Sequence, residues 1–260
     1  MSSPQLPPEI VDYIVDSLCD EPKALRDCSL VAKSWVPRAR KHLFADIKFG
    51  SCEDFHSWKT TFPDPPNSPA HQVRTVSIRC SDDFTAADAT EGDCISTFPH
   101  VARLRLDIGF MSHGVSLASL HRLSSTLKSL HLEAAIFPCS RLFDLVYSLP
   151  LLEDLTLDCF ELLSDGDNIP NTLQAIVPSI SPAFTGSLKL MLLNPSIPTR
   201  RLLDLPSGVR FRELTLGCGD GGDLQLLNEL VVACSNTLES LAVLCFPSST
   251  FIFVLYESWY

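Results

Sequence analysis

The sequence predicts an α/β chain: a short helical unit, then a curved parallel sheet whose strands alternate with outer helices. Three observations predict it. An apolar-x-x-apolar-x-apolar template occurs seven times at near-regular spacing. Segments between several copies carry the three- and four-residue apolar spacing of helices. The first forty residues hold three short apolar-striped stretches divided by prolines.

Leu6-Pro7-Pro8-Glu9 places proline and an acid where a helix begins. Ile10, Val11, Ile14, Val15 and Leu18 then form one apolar stripe, ended by Cys19-Asp20-Glu21-Pro22. Pro22 suits the start of a second helix, which carries Leu25, Cys28, Leu30 and Val31. Pro37, tolerated only in a first turn, sets a third helix from about Val36 to Phe44, just after Trp35. Three such helices bury too little surface to stand alone. Their apolar faces must rest on the remainder of the chain or on another protein.

Ala45 to Phe49 reads as a capping strand and Glu53 to Thr60 as a helix, followed by a proline-rich turn from Phe62 to Pro69. The template then runs Val73/Val76/Ile78, Val101/Leu104/Leu106, Leu127/Leu130/Leu132, Leu152/Leu155/Leu157, Leu188/Met191/Leu193, Phe211/Leu214/Leu216 and Leu238/Leu241/Val243. Successive starts lie 28, 26, 25, 36, 23 and 27 residues apart, the long interval being assigned to an insertion at Asp165–Pro170. Strand alternation puts Cys80, Ile108, Ala134, Cys159, Pro195, Cys218 and Cys245 at the next inward position, so four cysteines read as small core residues. Helical spacing recurs over Val115–Leu123, Leu142–Leu149 and Leu224–Ala233, and Pro99 and Pro150 fall where a helix should stop.

Strand plus helix at this period builds a solenoid with strands on the concave face. Residues between the inward positions should face solvent there. From these, Arg103, Arg105, His131, Asp154, Leu190, Leu192 and Glu213 are taken as the candidate face for a protein substrate, combining charge with an exposed apolar patch. The division expected is 5–46 for the helical unit, 47–70 for a linker and N-terminal cap, 71–246 for the solenoid and 247–260 for an atypical tail.

Residues 5 to 44 resemble an F-box: Leu6-Pro7, Glu9, the pairs Ile10/Val11 and Ile14/Val15, Leu18, Leu25, Leu30-Val31 and Trp35 stand in that order and spacing. The tail from Pro37 to Phe44 resembles F-box-like proteins abundant in fungi, and the repeats resemble the leucine-rich repeats that follow such boxes. The resemblance implies a non-catalytic adaptor that docks on a Skp-family subunit, and through it a cullin, of a ubiquitin ligase. Such an adaptor presents an unknown protein substrate held by its repeats. It further implies docking through Leu6, Pro7, Ile10, Ile14, Leu25, Val31 and Trp35, although some of these must line the unit's own small core. A repeat scaffold unconnected to ubiquitin ligation is the alternative reading.

Other functional classes find little purchase. A net charge of −11, from 20 basic against 31 acidic residues, disfavours a phosphate backbone as partner, and no nucleic acid is expected. No apolar run approaches the length of a membrane span and no basic-then-apolar leader opens the chain, so no membrane association is expected either. Ten cysteines without a leader point to a reducing compartment, cytoplasmic or nuclear. They form no C-x-x-C pair, so no metal site is expected. His131-Leu-Glu133 with Pro138-Cys139 misses the zinc-deaminase signature because Leu stands at 142. Ser125–Lys128 matches S-x-x-K without its companion motifs, and Gly217–Gly222 lacks the Gly-Lys-Ser/Thr ending of a phosphate loop. No catalytic residue, enzyme activity or cofactor is expected.

The last residues, Phe251-Ile-Phe-Val-Leu-Tyr-Glu-Ser-Trp-Tyr260, are apolar where a solenoid needs a polar cap. Either they fold back as an unusual cap or the chain is cut short. Truncation is the favoured expectation, and it leaves an aggregation-prone last repeat.

Overall fold

A computed structural model describes residues 6–63, 68–79, 95–107, 120–133, 136–163, 184–192, 195–205, 207–218 and 224–245. The chain is α/β. Three helices open it: α1 (Pro8–Ser17), α2 (Pro22–Val31) and α3 (Val36–Leu43), each with proline in its first turn. Proline presets the helical φ and lacks only an N–H that would have no partner there, so the three prolines mark the three starts. The two intervening breaks fall at 18–21 and 32–35, as the sequence reading expects.

Eight strands then form one parallel sheet in strict chain order: β1 (Asp46–Phe49), β2 (Thr75–Ile78), β3 (Arg103–Asp107), β4 (Ser129–Glu133), β6 (Asp154–Leu163), β7 (Ser187–Leu192), β8 (Glu213–Cys218) and β9 (Ser240–Cys245). A short β5 (Ile136–Pro138) pairs in parallel with the far half of β6. Helices follow four of the strands: α4 (Cys52–Thr61), α5 (Cys139–Tyr147), α6 (Ser196–Leu203) and α7 (Leu224–Cys234). Because β1 pairs in register with β2, the sheet begins at Asp46. The segment expected as a linker and cap therefore already holds one strand and one helix of the same arrangement.

Register stacks the inward side chains into rows. One row runs Ile47, Val76, Leu104, Leu130, Leu155, Leu188, Leu214 and Leu241; the next runs Phe49, Ile78, Leu106, Leu132, Leu157, Leu190, Leu216 and Val243. From Val76 to Leu241 the first row steps by 28, 26, 25, 33, 26 and 27 residues. Most of these side chains are fully buried in one continuous core, each contributing about 1.5–3 kcal/mol by leaving water. On β9, the last strand among the described residues, Leu241 and Val243 are 47% and 51% exposed, where Leu214 and Leu216 are each 1%.

The backbone repeats as faithfully as the core. Before each strand, one carbonyl accepts two successive amides from the next coil: Ala45 from Arg74 and Thr75, Arg74 from Ala102 and Arg103, Ala102 from Lys128 and Ser129, Lys128 from Glu153 and Asp154. The same pattern returns at Gly186 with Arg212 and Glu213, and at Arg212 with Glu239 and Ser240. Only the step into β7 differs. There Gly186 N–H donates to Glu153 O, but Ser187 N–H donates to the Asp154 carboxylate at 2.7 Å.

That departure corrects the fifth template copy. The inward residues of β7 are Leu188, Leu190 and Leu192, all buried, and not Leu188, Met191 and Leu193. One extra residue is accommodated at Phe184, whose backbone takes φ 39° while its ring packs 5.0 Å from that of Phe211. Of the inward cysteines expected, Cys80 lies outside the described residues, as do the side chains of Cys159, Cys218 and Cys245; Pro195 is buried. The proposed insertion at Asp165–Pro170, most of the Val115–Leu123 helix and the tail from 246 onward also lie outside them.

An aromatic cluster joins the helical unit to the sheet. Phe44, just past α3, meets Trp58 and Phe62 edge-on, and Trp58 packs on Phe98 while Phe49 meets Phe55. Rings from three consecutive elements thus close the first edge of the core.

Candidate functional site

The helical unit encloses a separate small core of Val11, Val15, Leu25, Cys28 and Ala39, with Leu18, Trp35 and Leu43 packed partly against it. One stripe of α1 faces inward, with Val11 and Val15 four residues apart. A polar clip holds α1 to α3: Arg38 donates to Asp16 through Nε at 2.6 Å and again through Nη2, and the His42 ring sits 2.7 Å from the same carboxylate. These hydrogen bonds, Arg38 first, hold the Asp16 carboxyl well below the usual carboxylate range. A depressed folded-state pKa contributes stability above the ordinary carboxylate value of about 3.9, lost progressively as pH falls below it. Asp16→Asn should therefore lower the melting temperature of the protein at pH 7, and the difference from wild type should shrink through the pH 4 to 2 range. Parallel thermal melts followed by tryptophan fluorescence check this.

Against that small core, the seven predicted docking residues separate. Leu6, Pro7, Ile10 and Val31 are exposed and Ile14 is half-buried. Leu25 is 1% exposed and belongs inside the unit, so it cannot meet a partner. Trp35 is half-buried against the same core. Two residues that sequence reasoning missed join the exposed set: Tyr13, three positions after Ile10 on α1, and Leu30 at the end of α2, 83% exposed. For Tyr13, the i, i+3 relation to Ile10 on α1 was the available signal.

On the sheet, the side opposite the core displays a second set of rows. One reads Lys48, Ser77, Arg105, His131, Thr156, Lys189, Thr215 and Ala242. The next contains Asp107, Glu133 and Asp158. Ion pairs link the two, Arg105 with Glu133 and Lys189 with Asp158 at 2.6 Å, while Arg79, just after β2, pairs with Asp107 at 3.2 Å along the second row. Arg103, Arg105, His131, Asp154 and Glu213 lie on this open side as expected. Leu190 and Leu192 do not. They are 0% and 1% exposed in the core; the other side of β7 carries half-buried Ser187 and Lys189 and buried Met191, so the expected apolar patch is replaced by a cation.

His131 sits at the middle of this face, its Nε2 buried without a hydrogen-bond partner and 3.9 Å from Glu133. Burial, seconded by the Arg105 charge, pushes its pKa down, outweighing the two nearby carboxylates. The ring is neutral near pH 7. Asp154 spends its carboxylate on Ser187, accepting from the backbone N–H and from the hydroxyl at 2.9 Å.

Among the described residues, no group of three or more His, Cys, Asp or Glu is placed to hold a metal ion, and no helix is long and apolar enough to cross a membrane. No protein-family model matches the chain. No curated protein matches it either.

Proposed function

We propose that this chain is an F-box-type adaptor: its helical unit docks on a Skp-family subunit of a cullin-RING ubiquitin ligase, and its leucine-rich-repeat solenoid holds a protein substrate. One observation carries the reading. The three helices close a core of their own and still leave Leu6, Ile10, Tyr13, Leu30 and Val31 in solvent. Isolated apolar side chains on a surface are ordinary, but five large ones on a forty-residue unit mark an interaction site. A helix presenting residues i and i+3 on one face to a groove is a common way of using them, and Ile10 and Tyr13 have that spacing on α1, with Leu6 just before the helix. The chain itself supplies proximity, and ligase chemistry belongs to partner subunits.

Co-purification with a Skp-family adaptor tests the reading. Ile10→Asp and Val31→Asp should each weaken the complex by about thirtyfold, the loss of roughly 2 kcal/mol typical of a central interface residue. Both side chains are exposed, so the isolated protein should keep its wild-type melting temperature. Ile14→Asp is a poorer probe because Ile14 is half-buried in the unit itself. Wild-type protein that fails to bind the adaptor, or variants that bind it as well as wild type, would leave only a repeat scaffold of other purpose.

A further inference from the structure

We infer that the first three strands of the open sheet face bind an acidic segment of a protein partner. The inference rests on the sheet face being the partner-binding side, and it is independent of whether the helical unit meets a ligase. In a protein of net charge −11, β1 to β3 concentrate cations outward: Lys48, Arg103 and Arg105, with Arg79 immediately after β2. The strands that follow, β4 and β6, display Glu133, Asp154 and Asp158 instead. On β1 to β3 the outward cations outnumber the outward acids, Asp46 and Asp107, whereas the formal charges displayed by β4 and β6 are all negative.

Two of these cations are unspent. Arg105 and Arg79 are neutralised by Glu133 and Asp107. Lys48 and Arg103 are exposed and have no ion-pair or hydrogen-bond partner among the described residues. Register explains why. Lys48 stands beside Ser77, and Arg103 stands between Thr75 and Ser129, so no acid occupies an adjoining position across the strands. Asp46, two residues before Lys48, is the one acid on β1 and sits beside Thr75. Strands lie about 4.8 Å apart and rise about 3.4 Å per residue, so Lys48 and Arg103, on either side of β2 and offset by two residues, stand roughly 12 Å apart on the diagonal; directly across β2, Lys48 faces Arg105 and Arg103 faces Asp46. Between them β2 presents the hydroxyls of Thr75 and Ser77. The row Lys48, Ser77 and Arg105 runs cation, hydroxyl, cation, and Arg103 beside Thr75 extends this strip of donors into the neighbouring row. Its breadth suits carboxylates spread along an extended chain better than one compact anion. The protein's net negative charge would repel such a chain from acidic parts of the surface and steer it toward these cations.

A fluorescein-labelled twelve-residue peptide alternating Glu and Gly, titrated with the full chain in 50 mM NaCl and read by anisotropy, tests this. Saturable binding is expected, weakening steeply at 300 mM NaCl. Lys48→Glu with Arg103→Glu should weaken it at least tenfold. Arg200→Glu with Arg201→Glu, on exposed positions of α6, changes net charge equally and should leave affinity within about twofold. Equal loss in both double variants, or no preference for the Glu peptide over a Gln-Gly peptide, would overturn the proposal. Adaptor co-purification is a separate readout that neither double variant should change, so this inference and the docking reading fail in distinguishable ways.

Discussion

Leu155→Ala should destabilise the protein by about 3–4 kcal/mol, whereas Leu241→Ala, at the equivalent position of the last strand, should cost less than about 1 kcal/mol. Both residues occupy the same inward row, one between two neighbouring strands and one on the last described strand. Leu155 is fully buried with strands on both sides, so truncation removes transfer energy and leaves a cavity that the flanking Leu130 and Leu188 cannot fill without leaving their own register. Leu241 is already half-exposed; water replaces what the side chain loses. The first loss is a large share of the 5–15 kcal/mol that a domain of ordinary stability possesses. Urea unfolding of both variants, followed by circular dichroism, measures the difference. In an array whose coils touch only their neighbours, melting from one end is possible, so each transition must be checked with a second probe before free energies are compared. Equal destabilisation at the two positions would mean that the last strand is as well covered as the middle one.

The same rows explain what could be read in the chain beforehand. Parallel strands buried on one face repeat their inward residues at fixed offsets, so six of the seven template copies gave the register directly, and the prolines of α1, α2 and α3 gave the helix starts. The fifth copy misled because Leu188-Lys-Leu-Met-Leu-Leu193 offers apolar residues in both alternation frames. Lys189 was the deciding residue: a cation in an otherwise apolar strand belongs outside, which places Leu188, Leu190 and Leu192 within. Leu25 was misplaced for a different reason. On a short helix both stripes are apolar, and which of them a small core takes depends on how neighbouring helices cross, a tertiary fact with no local signature. The Asp16–Arg38 clip and the Trp58 aromatic cluster were likewise invisible, since they join residues from separate helices or from a helix and the sheet. The rows of hydroxyls and unpaired cations emerge only once register aligns neighbouring strands.

Gly186→Ala should cost about 2–3 kcal/mol, and most of that cost should vanish in an Asp154→Ala background. A Cβ on Gly186 would lie 2.1 Å from the Asp154 carboxylate oxygen, 3.0 Å from its carboxyl carbon and 3.1 Å from Glu153 O. The first contact is impossible, so the carboxylate must leave. In leaving it abandons both the Ser187 amide and the Ser187 hydroxyl. Charge-assisted bonds of this kind contribute about 1.5–3 kcal/mol, and the freed amide has lost the carbonyl that serves its counterparts in every other coil. The extra residue at Phe184 pushes the chain out of the repeating pattern, and Asp154 restores the missing acceptor only because Gly186 leaves it room. Asp154→Ala alone removes the acceptor and should cost about 1–2 kcal/mol. With that carboxylate gone, the tightest contact left to a methyl at 186 is the Glu153 carbonyl, which a small shift relieves. The double variant should therefore fall short of the sum of the single losses by about 1 kcal/mol or more, within the range of coupled neighbours. Strict additivity would mean that the carboxylate and the glycine do not share one space, and the reset of register into β7 would then need another cause.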